Sequence, residues 1–260
     1  MAQQEVAKTK KAEVAAFDPS MFEEDAGIGM ENLDQDDLAL PFLKVLSGND
    51  PVLDTNEVAR KGDIYNTVTG EVYKGKDGVR VVPCAYQRRF IQWAPRGVGS
   101  GAPVQIYDAG EARPKTERSP DDNKDYLMDG SGDYIEETHQ HYVLLLKDDG
   151  AFETALIALK STQLKKSRKW NSIIASRTMQ GKNGPFTPPR FSHVYHLKTV
   201  SEENSKGSWH GWEMSCDGPV SEAFVYKRAK EFATSISAGD VVVKHADEDN
   251  SSSDNSGIPF

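Results

Sequence analysis

Short segments that alternate apolar and polar residues recur through the middle of this 260-residue chain, and such alternation is typical of β-strands. Asp63–Tyr73 is predicted to form a hairpin that turns near Thr69 and Gly70. Val79–Trp93 is predicted to form one long strand, bent or bulged near Pro83, because proline cannot donate a ladder hydrogen bond. A chain with this pattern must build its core mainly from β-sheet.

The second half of the chain continues the pattern. His141–Lys147 and Phe152–Leu159 flank the turn sequence Asp148–Gly150, and together they predict a second hairpin. Arg190–Val200 also alternates, and we expect Ser208–Ser215 to pair with it. These segments predict antiparallel pairing, with strands that are adjacent in the chain also adjacent in the sheet.

Only two segments have the apolar spacing of helices. The first is Ser161–Met179, with Ser161 or Thr162 as its cap, and the second is Ser221–Ile236, with Ser221 as its cap. Antiparallel strands with one or two packed helices predict a mainly β (α+β) fold. A small OB-like open barrel fits this pattern, and an antiparallel β sandwich fits it nearly as well.

The two ends of the chain differ from this core in composition. Residues 1–37 include a run of eight acids and no bases between Asp18 and Asp37, and residues 245–260 are acidic and rich in serine. Such segments bury too little apolar surface to offset the entropy of ordering, so we expect both ends to be disordered. The sequence thus predicts a folded core of residues 38–244 between two acidic ends.

The expected location follows from features that the sequence lacks. No segment approaches the ~18 consecutive apolar residues of a transmembrane helix, and the first residues lack the apolar region of a secretory signal. The two cysteines, Cys84 and Cys216, cannot form a disulfide framework. We therefore expect a protein of the reducing cytoplasm with no membrane partner.

No motif predicts catalysis or a bound cofactor. His139 and His141 lie two residues apart and His193 and His196 three apart, but neither pair has partners at a zinc-site spacing, so we interpret all four as structural. Gly97–Gly101 fails as a dinucleotide fingerprint because no helix follows it. The most basic part of the core also lacks the clustered carboxylates of a Mg²⁺-dependent nuclease. We expect no enzyme activity, no metal and no cofactor.

Charge is distributed unevenly along the chain. The formal net charge is −9, yet Thr154–Ser201 contains nine bases and no acid in 48 residues, so the other 212 residues carry −18. An acid-free segment in an acidic protein predicts a surface that binds a polyanion. The nine bases are Lys160, Lys165, Lys166, Arg168, Lys169, Arg177, Lys182, Arg190 and Lys198.

Aromatic residues accompany basic residues in several places, as in proteins that hold single-stranded nucleic acid by phosphate contacts and base stacking. Trp170 lies beside four bases, and its side chain either stacks on a nucleic-acid base or is buried in the core. On the strand Val79–Trp93, alternate side chains point to opposite faces, so only half of its aromatic and basic residues can meet DNA. Phe186 either points outward from a proline-rich loop or belongs to an ordinary turn. The candidate DNA-binding residues are Tyr86, Arg88, Arg89, Phe90, Trp93, Lys160, Lys165, Lys166, Arg168, Lys169, Trp170, Arg177, Lys182, Phe186 and Arg190.

The sequence ends in Ile258, Pro259 and Phe260 after acidic, serine-rich residues. A flexible acidic segment with an apolar tip and a free carboxylate can insert the tip into an apolar pocket that has a basic rim. This end resembles the Ile-Pro-Phe tip of bacterial single-stranded DNA-binding proteins, which recruits replication and repair partners. T7-like phage single-stranded DNA-binding proteins similarly end in an acidic tail with a terminal Phe. The chain departs from the bacterial pattern by placing Asn255–Gly257 directly before the tip.

The core is more similar to phage-encoded replication proteins, through the stretches LPFLKVLSG, GDIYNTVTGEVY and KSRKWNS. The resemblance implies a non-catalytic phage protein that coats single-stranded DNA and recruits a polymerase, helicase or primase through its tip. Homo-oligomers are compatible with this interpretation. Two alternatives remain open: an annealing protein of recombination, and an interaction protein that binds host replication or transcription machinery.

Overall fold

The structure, a computed structural model, describes residues 20–33, 37–95, 97–98, 101–205 and 207–239. The chain divides into two units, residues 1–38 and residues 39–260. In the first unit, Ser20–Glu24 forms the short helix α1. The predicted disordered C-terminal segment, residues 245–260, lies outside the described residues.

The second unit begins with a small three-stranded sheet. Its strands are β1 (Leu43–Val45), β2 (Ile64–Asn66) and β3 (Val72–Tyr73), and the short helix α2 (Val52–Thr55) lies between the first two. β2 and β3 pair antiparallel across a turn in which Gly70 has φ +74°, a conformation that favours glycine. The hairpin predicted over Asp63–Tyr73 is confirmed.

An eight-stranded antiparallel sheet forms the rest of the β structure. Its strands are β4 (Val79–Trp93), β5 (Gln105–Asp108), β6 (Thr116–Arg118), β7 (Asp125–Leu127), β8 (Tyr134–Leu146), β9 (Phe152–Lys160), β12 (His193–Asn204) and β13 (Gly207–Pro219). β4 and β8 pair along their whole length at the centre. β12 and β5 share the free side of β4, and β9 and β7 share the free side of β8. The predicted pairings β8–β9 and β12–β13 are confirmed.

The small sheet bridges two strands of the large one. Phe42, next to β1, forms a parallel bridge with Leu156 of β9. On the other side, the backbone N–H of Thr199 in β12 donates to the carbonyl of Gly75, just after β3, at 2.9 Å. The curved sheet therefore forms an OB-like barrel, as predicted, and its interior is filled by large apolar side chains. Fully buried examples are Val81, Val143, Leu145, Ile157 and Leu197.

Two longer helices cover the barrel. α3 (Leu164–Ala175) follows a 3-10 turn at Ser161–Gln163 and contributes to the interior core. α4 (Ala223–Ala238) packs on the outer side of the sheet, against residues that include Val82 and Leu144. Both helices were predicted, although α3 is shorter than expected. The predicted serine and threonine caps are wrong, because Gln163 and Glu222 are the N-cap residues.

None of the helices in the described part of the chain is long and apolar enough to span a membrane. A third, two-stranded sheet lies between α3 and β12. It is the hairpin of β10 (Met179–Gly181) and β11 (Gly184–Phe186), whose side chains are largely exposed. Its first residue, Met179, is the last residue of the segment predicted as helix, and the hairpin carries two of the candidate residues, Lys182 and Phe186.

Candidate nucleic-acid interface

A β-bulge in β4 selects which of its residues face the candidate site. Val81 pairs with Leu145, and both side chains lie in the barrel interior. The register shifts between Pro83 and Ala85, as predicted, so that even-numbered residues beyond the bulge take the side of the sheet that faces the interior. The residues on this side are Tyr86, Arg88 and Phe90. Those on the opposite side are Arg89, Ile91 and Trp93.

Phe90 lies between two arginine side chains. The Cζ atom of Arg113 is 3.4 Å from the centroid of the Phe90 ring, and that of Arg88 is 5.5 Å away. Both arginines are exposed, while Phe90 and the neighbouring Tyr86 are half-buried. We call Tyr86, Arg88, Phe90 and Arg113 the Phe90 cluster. It offers aromatic and guanidinium planes, on which nucleic-acid bases stack.

Sequence reasoning missed Arg113. This residue belongs to the exposed connection between β5 and β6, well before the acid-free segment. Its neighbours in sequence include Glu111 and Glu117, so local charge carries no signal for a DNA contact. Only the pairing of β5 with β4 brings this connection over the ring of Phe90.

Helix α3 presents bases to solvent and apolar residues to the barrel. Its buried side chains are those of Ser167, Trp170 and Ile174. Its exposed bases are Lys165, Arg168 and Lys169, which we call the basic face of α3. These positions recur at helical spacing, so one helix separates a buried side from a cationic side.

The basic face of α3 adjoins the Phe90 cluster. Arg168 lies 3.5 Å from a carboxylate oxygen of Glu137 in β8. Glu137 is the cross-strand partner of Phe90, so its side chain emerges on the same side of the sheet. The aromatic and cationic residues predicted from two distant parts of the sequence therefore lie on neighbouring surfaces. One acidic side chain, that of Glu137, lies where they meet.

A buried chain of hydrogen bonds holds α3 on the barrel. Arg190 donates to Nδ1 of His141 at 2.8 Å, so the Nε2–H of His141 donates to Ser167 Oγ at 2.7 Å. Ser167 then donates to Nδ1 of His139 at 2.7 Å, and the Nε2–H of His139 donates to Glu137 at 2.9 Å. An arginine cannot accept a hydrogen bond, so its donor role sets the direction of the whole chain. Ser167 is thus the polar anchor of α3.

This environment keeps both histidines neutral. Burial lowers the pKa of His139, and it lowers the pKa of His141 well below the ordinary value, with the nearby Arg190 acting in the same direction. The interpretation of these two residues as structural is confirmed. Ser167, His139 and Glu137 follow one another as in a nucleophile triad, but Ser167 is 0% exposed and no substrate can reach its oxygen.

Two predicted contacts are wrong because their side chains are buried, and a third predicted residue, Arg190, is engaged in hydrogen bonds within the protein. Trp170 is 0% exposed and stacks on His141 with ring centroids 4.6 Å apart. Trp93 is 4% exposed. Arg190 is half-buried near the Trp170 ring and, besides donating to His141, donates to Asn171 at 2.9 Å. Large indole rings contribute most to stability when they leave water, and here Trp170 is buried in the barrel interior while Trp93 is buried on the opposite side of β4.

Besides Arg168, three predicted cations have carboxylate partners. Lys160 lies 3.1 Å from Glu136, and Lys166 lies 2.5 Å from Glu202. Arg89, on the side of β4 away from the Phe90 cluster, forms an ion pair with Asp108. The acids come from outside Thr154–Ser201, so the charge segregation seen in the sequence is partly cancelled in three dimensions. These cations are corrected from free phosphate ligands to members of ion pairs.

The remaining predicted residues lie on or beside the β10–β11 hairpin. Lys182 is exposed in its turn, and Phe186 is 46% exposed beside its cross-strand partner Met179. Arg177 precedes the hairpin and is half-buried. The tip residues Ile258–Phe260 lie outside the described residues. Within the described ranges, no three His, Cys, Asp or Glu side chains are grouped to hold a metal ion.

Comparison with known proteins gives one relationship. The family model of Pam3 phage gp34-like proteins matches residues 8–242. No curated protein and no solved structure matches the chain. The matched region runs from the N-terminal segment to just beyond α4 and so includes the whole barrel. The chain therefore belongs to the Pam3 phage gp34-like protein family and is a phage protein.

Proposed function

We propose that this phage protein binds single-stranded DNA without sequence preference and without catalysing a reaction. The observation that carries the proposal is the basic face of α3. Lys165 and Lys169 are exposed and have no carboxylate partner among the residues that the structure describes. Cations that remain unpaired in an acidic protein attract a polyanion, and phosphate contacts supply most of the affinity in non-specific binding.

The Phe90 cluster supports single-stranded rather than duplex DNA as the ligand. Stacking on an aromatic ring requires an unpaired base, and each stacked base contributes ~1–3 kcal/mol. Phe90 lies near the basic face of α3, so a strand can place phosphates on the helix and bases beside the ring. The exposed Lys182 and Phe186 extend this combination onto the hairpin.

The proposal gives the C-terminal tip a separate role. Ile258, Pro259 and Phe260 recruit a replication protein such as a polymerase, helicase or primase, and the acidic residues before them compete with DNA for the basic face of α3. The protein acts in the cytoplasm of the host cell. This part rests on the resemblance to the tails of known single-stranded DNA-binding proteins and on the charge of residues 245–260.

The test is a titration of fluorescently labelled oligo(dT) and of a duplex of equal length, followed by anisotropy over a range of salt concentrations. We expect tighter binding of the single strand. A plot of log K against log[salt] should have a negative slope of about 0.7 for each phosphate contact. Lys165→Ala/Lys169→Ala should weaken binding and flatten the slope, while Lys165→Arg/Lys169→Arg should not.

Each alternative predicts a different result. An interaction protein without a DNA role shows no salt-dependent binding of oligo(dT), which would refute the proposal. An annealing protein accelerates the pairing of complementary strands and forms large rings, visible as a change in gel-filtration volume when DNA is added. Equal affinity for single strand and duplex would also contradict the assignment.

A further inference from the structure

Helix α4 has a second cationic surface, outside the site described above. Its buried residues Val225, Ala229, Phe232 and Ile236 pack on the outer side of the sheet. The opposite side of the helix exposes three bases, and Glu231 is the only acid within the helix. The exposed bases are Lys227, Arg228 and Lys230.

Two of these bases are available to a ligand. Arg228 pairs with Glu231 at 2.9 Å. Lys227 and Lys230 have no carboxylate partner in the described part of the chain and line a shallow surface groove together with Glu231 and Thr234. The net charge of the helix is therefore positive although the protein as a whole carries −9.

Exposed aromatic rings accompany these bases. Phe224 is 62% exposed, and its ring lies 5.5 Å from that of Phe152. Tyr226 is 38% exposed and lies 5.2 Å from the ring of Phe191. A phenylalanine that remains mostly in water forgoes the free energy of burial, and exposed aromatic rings beside cations are the combination that binds unpaired bases.

A short stretch of chain links the α4 surface to the hairpin. Phe191 belongs to the 3-10 turn Arg190–Ser192, which α4 contacts. Residues 187–189 alone join this turn to Phe186, the exposed ring of β11. A path of exposed or half-buried aromatic residues thus leads from the hairpin through Phe191 and Tyr226 to α4.

We infer that α4 is a second contact for the same DNA strand, which passes from the basic face of α3 along the hairpin to the outer side of the barrel. Lys227 and Lys230 bind phosphates, and Phe224 stacks on a base. This inference rests on the proposed single-stranded DNA binding and adds to it a defined path. We call the basic face of α3 together with the hairpin the first surface. A strand too short to extend beyond the first surface should bind with an affinity that does not depend on α4.

The test compares Lys227→Ala/Arg228→Ala/Lys230→Ala with the full-length wild-type protein on two lengths of oligo(dT). OB folds occupy about 4–16 nucleotides, so about 6 nucleotides probe the first surface and about 25 reach both. Alanine favours the helix, and circular dichroism verifies that the variant is folded. Lys227→Arg/Arg228→Lys/Lys230→Arg keeps the charge and is the matched control.

We expect the alanine variant to lose about tenfold or more in affinity for the long oligonucleotide at low salt, with a salt slope shallower by about 1.4, which is about 0.7 for each of the two lysine contacts. Its affinity for the short oligonucleotide should equal that of the wild type, and the control should match the wild type on both. Phe224→Ala should weaken binding of the long oligonucleotide without changing the slope.

Two results would overturn the inference but not the proposed function. One is an unchanged affinity of the alanine variant for the long oligonucleotide, and the other is an equal loss on both lengths, which would place α4 within the first surface. If the wild type binds neither oligonucleotide, the proposed function itself fails.

Discussion

At the scale of single residues, burial separates structural side chains from candidate ligands. Lys165, Arg168 and Lys169 project from α3 into solvent, while Trp170, next in the chain, fills the barrel. The same helix uses Ser167 to join two histidines to the sheet. Neighbouring residues of one helix thus serve binding and stability. The helical period determines which of them face solvent and which face the core.

Stability should depend on pH through the two buried histidines. The folded protein holds the pKa of His139 and His141 below the ordinary value, which is about 6.5 in the unfolded chain. Above pH 6.5 both states are unprotonated and the folded state has no penalty. Below it the unfolded chain binds protons that the folded protein excludes, so the free energy of unfolding falls by up to about 1.4 kcal/mol per pH unit for each group.

Urea unfolding at pH 7.5, 6.5 and 5.5 measures this effect. His139→Gln/His141→Gln should be less stable at pH 7.5 but should lose less stability on acidification than the wild type. Burial also lowers the pKa of His193 and His210, so a residual dependence remains. If the stability of the variant and of the wild type changed equally with pH, the two buried histidines would not be the source of the pH dependence.

Phe90→Ala tests base stacking at the level of one side chain. Loss of the ring should reduce the affinity for oligo(dT) by roughly 1–3 kcal/mol. The salt slope should stay unchanged because stacking releases no counterions. Phe22→Ala, which removes an equally apolar but more exposed ring from the N-terminal unit, is the control and should bind as the wild type does. A flatter slope for Phe90→Ala would mean that the ring acts by positioning Arg88 or Arg113.

At the scale of elements, neighbouring strands set the charge of the basic segment. β8 supplies Glu136 and Glu137, and β12 supplies Glu202, to bases of β9 and α3. The bulge in β4 similarly determines which aromatic residues face the site, because it places Phe90 on the same side of the sheet as α3. The binding surface is therefore a property of how strands are paired and not of any single segment.

Glu137→Gln should strengthen DNA binding. The glutamine retains an oxygen that accepts the hydrogen bond of His139 but removes the charge that faces Arg168. A phosphate then no longer competes with a carboxylate for this arginine, and affinity at low salt should rise several-fold, with a smaller gain at high salt. Anisotropy titrations at two salt concentrations measure both values. Weaker binding by the folded variant would place Glu137 among the groups that hold the strand.

At the scale of the whole molecule, the proposed function has the acidic C-terminal residues compete with DNA for the basic face of α3. Deletion of residues 246–260 should raise affinity for oligo(dT), because four side-chain carboxylates and the terminal one are removed. The gain should be largest at low salt and shrink as the screening length falls to ~8 Å at physiological ionic strength. Deletion of Ile258–Phe260 alone should leave DNA affinity nearly intact but abolish capture of a partner protein.

Two measurements decide this prediction. Equal DNA affinities of the full-length and tail-deleted proteins at low salt would remove the competition model. Retention of every partner by the protein that lacks only the tip would remove the recruitment model. The two outcomes are independent, because charge lies upstream of the tip and the apolar anchor lies within it.

The sequence alone determined the longer strands, the two main hairpins, the bulge near Pro83, the two principal helices and the mainly β class, because these depend on local periodicity and turn chemistry. It left an OB-like barrel and a sandwich as alternatives. Tertiary structure alone decided which face of β4 meets α3, which bases are paired with acids, and where Arg113 lies. It also placed Trp170 in the core. Those outcomes depend on contacts between residues distant in sequence, and no local pattern encodes which carboxylate or ring the fold brings beside a given cation.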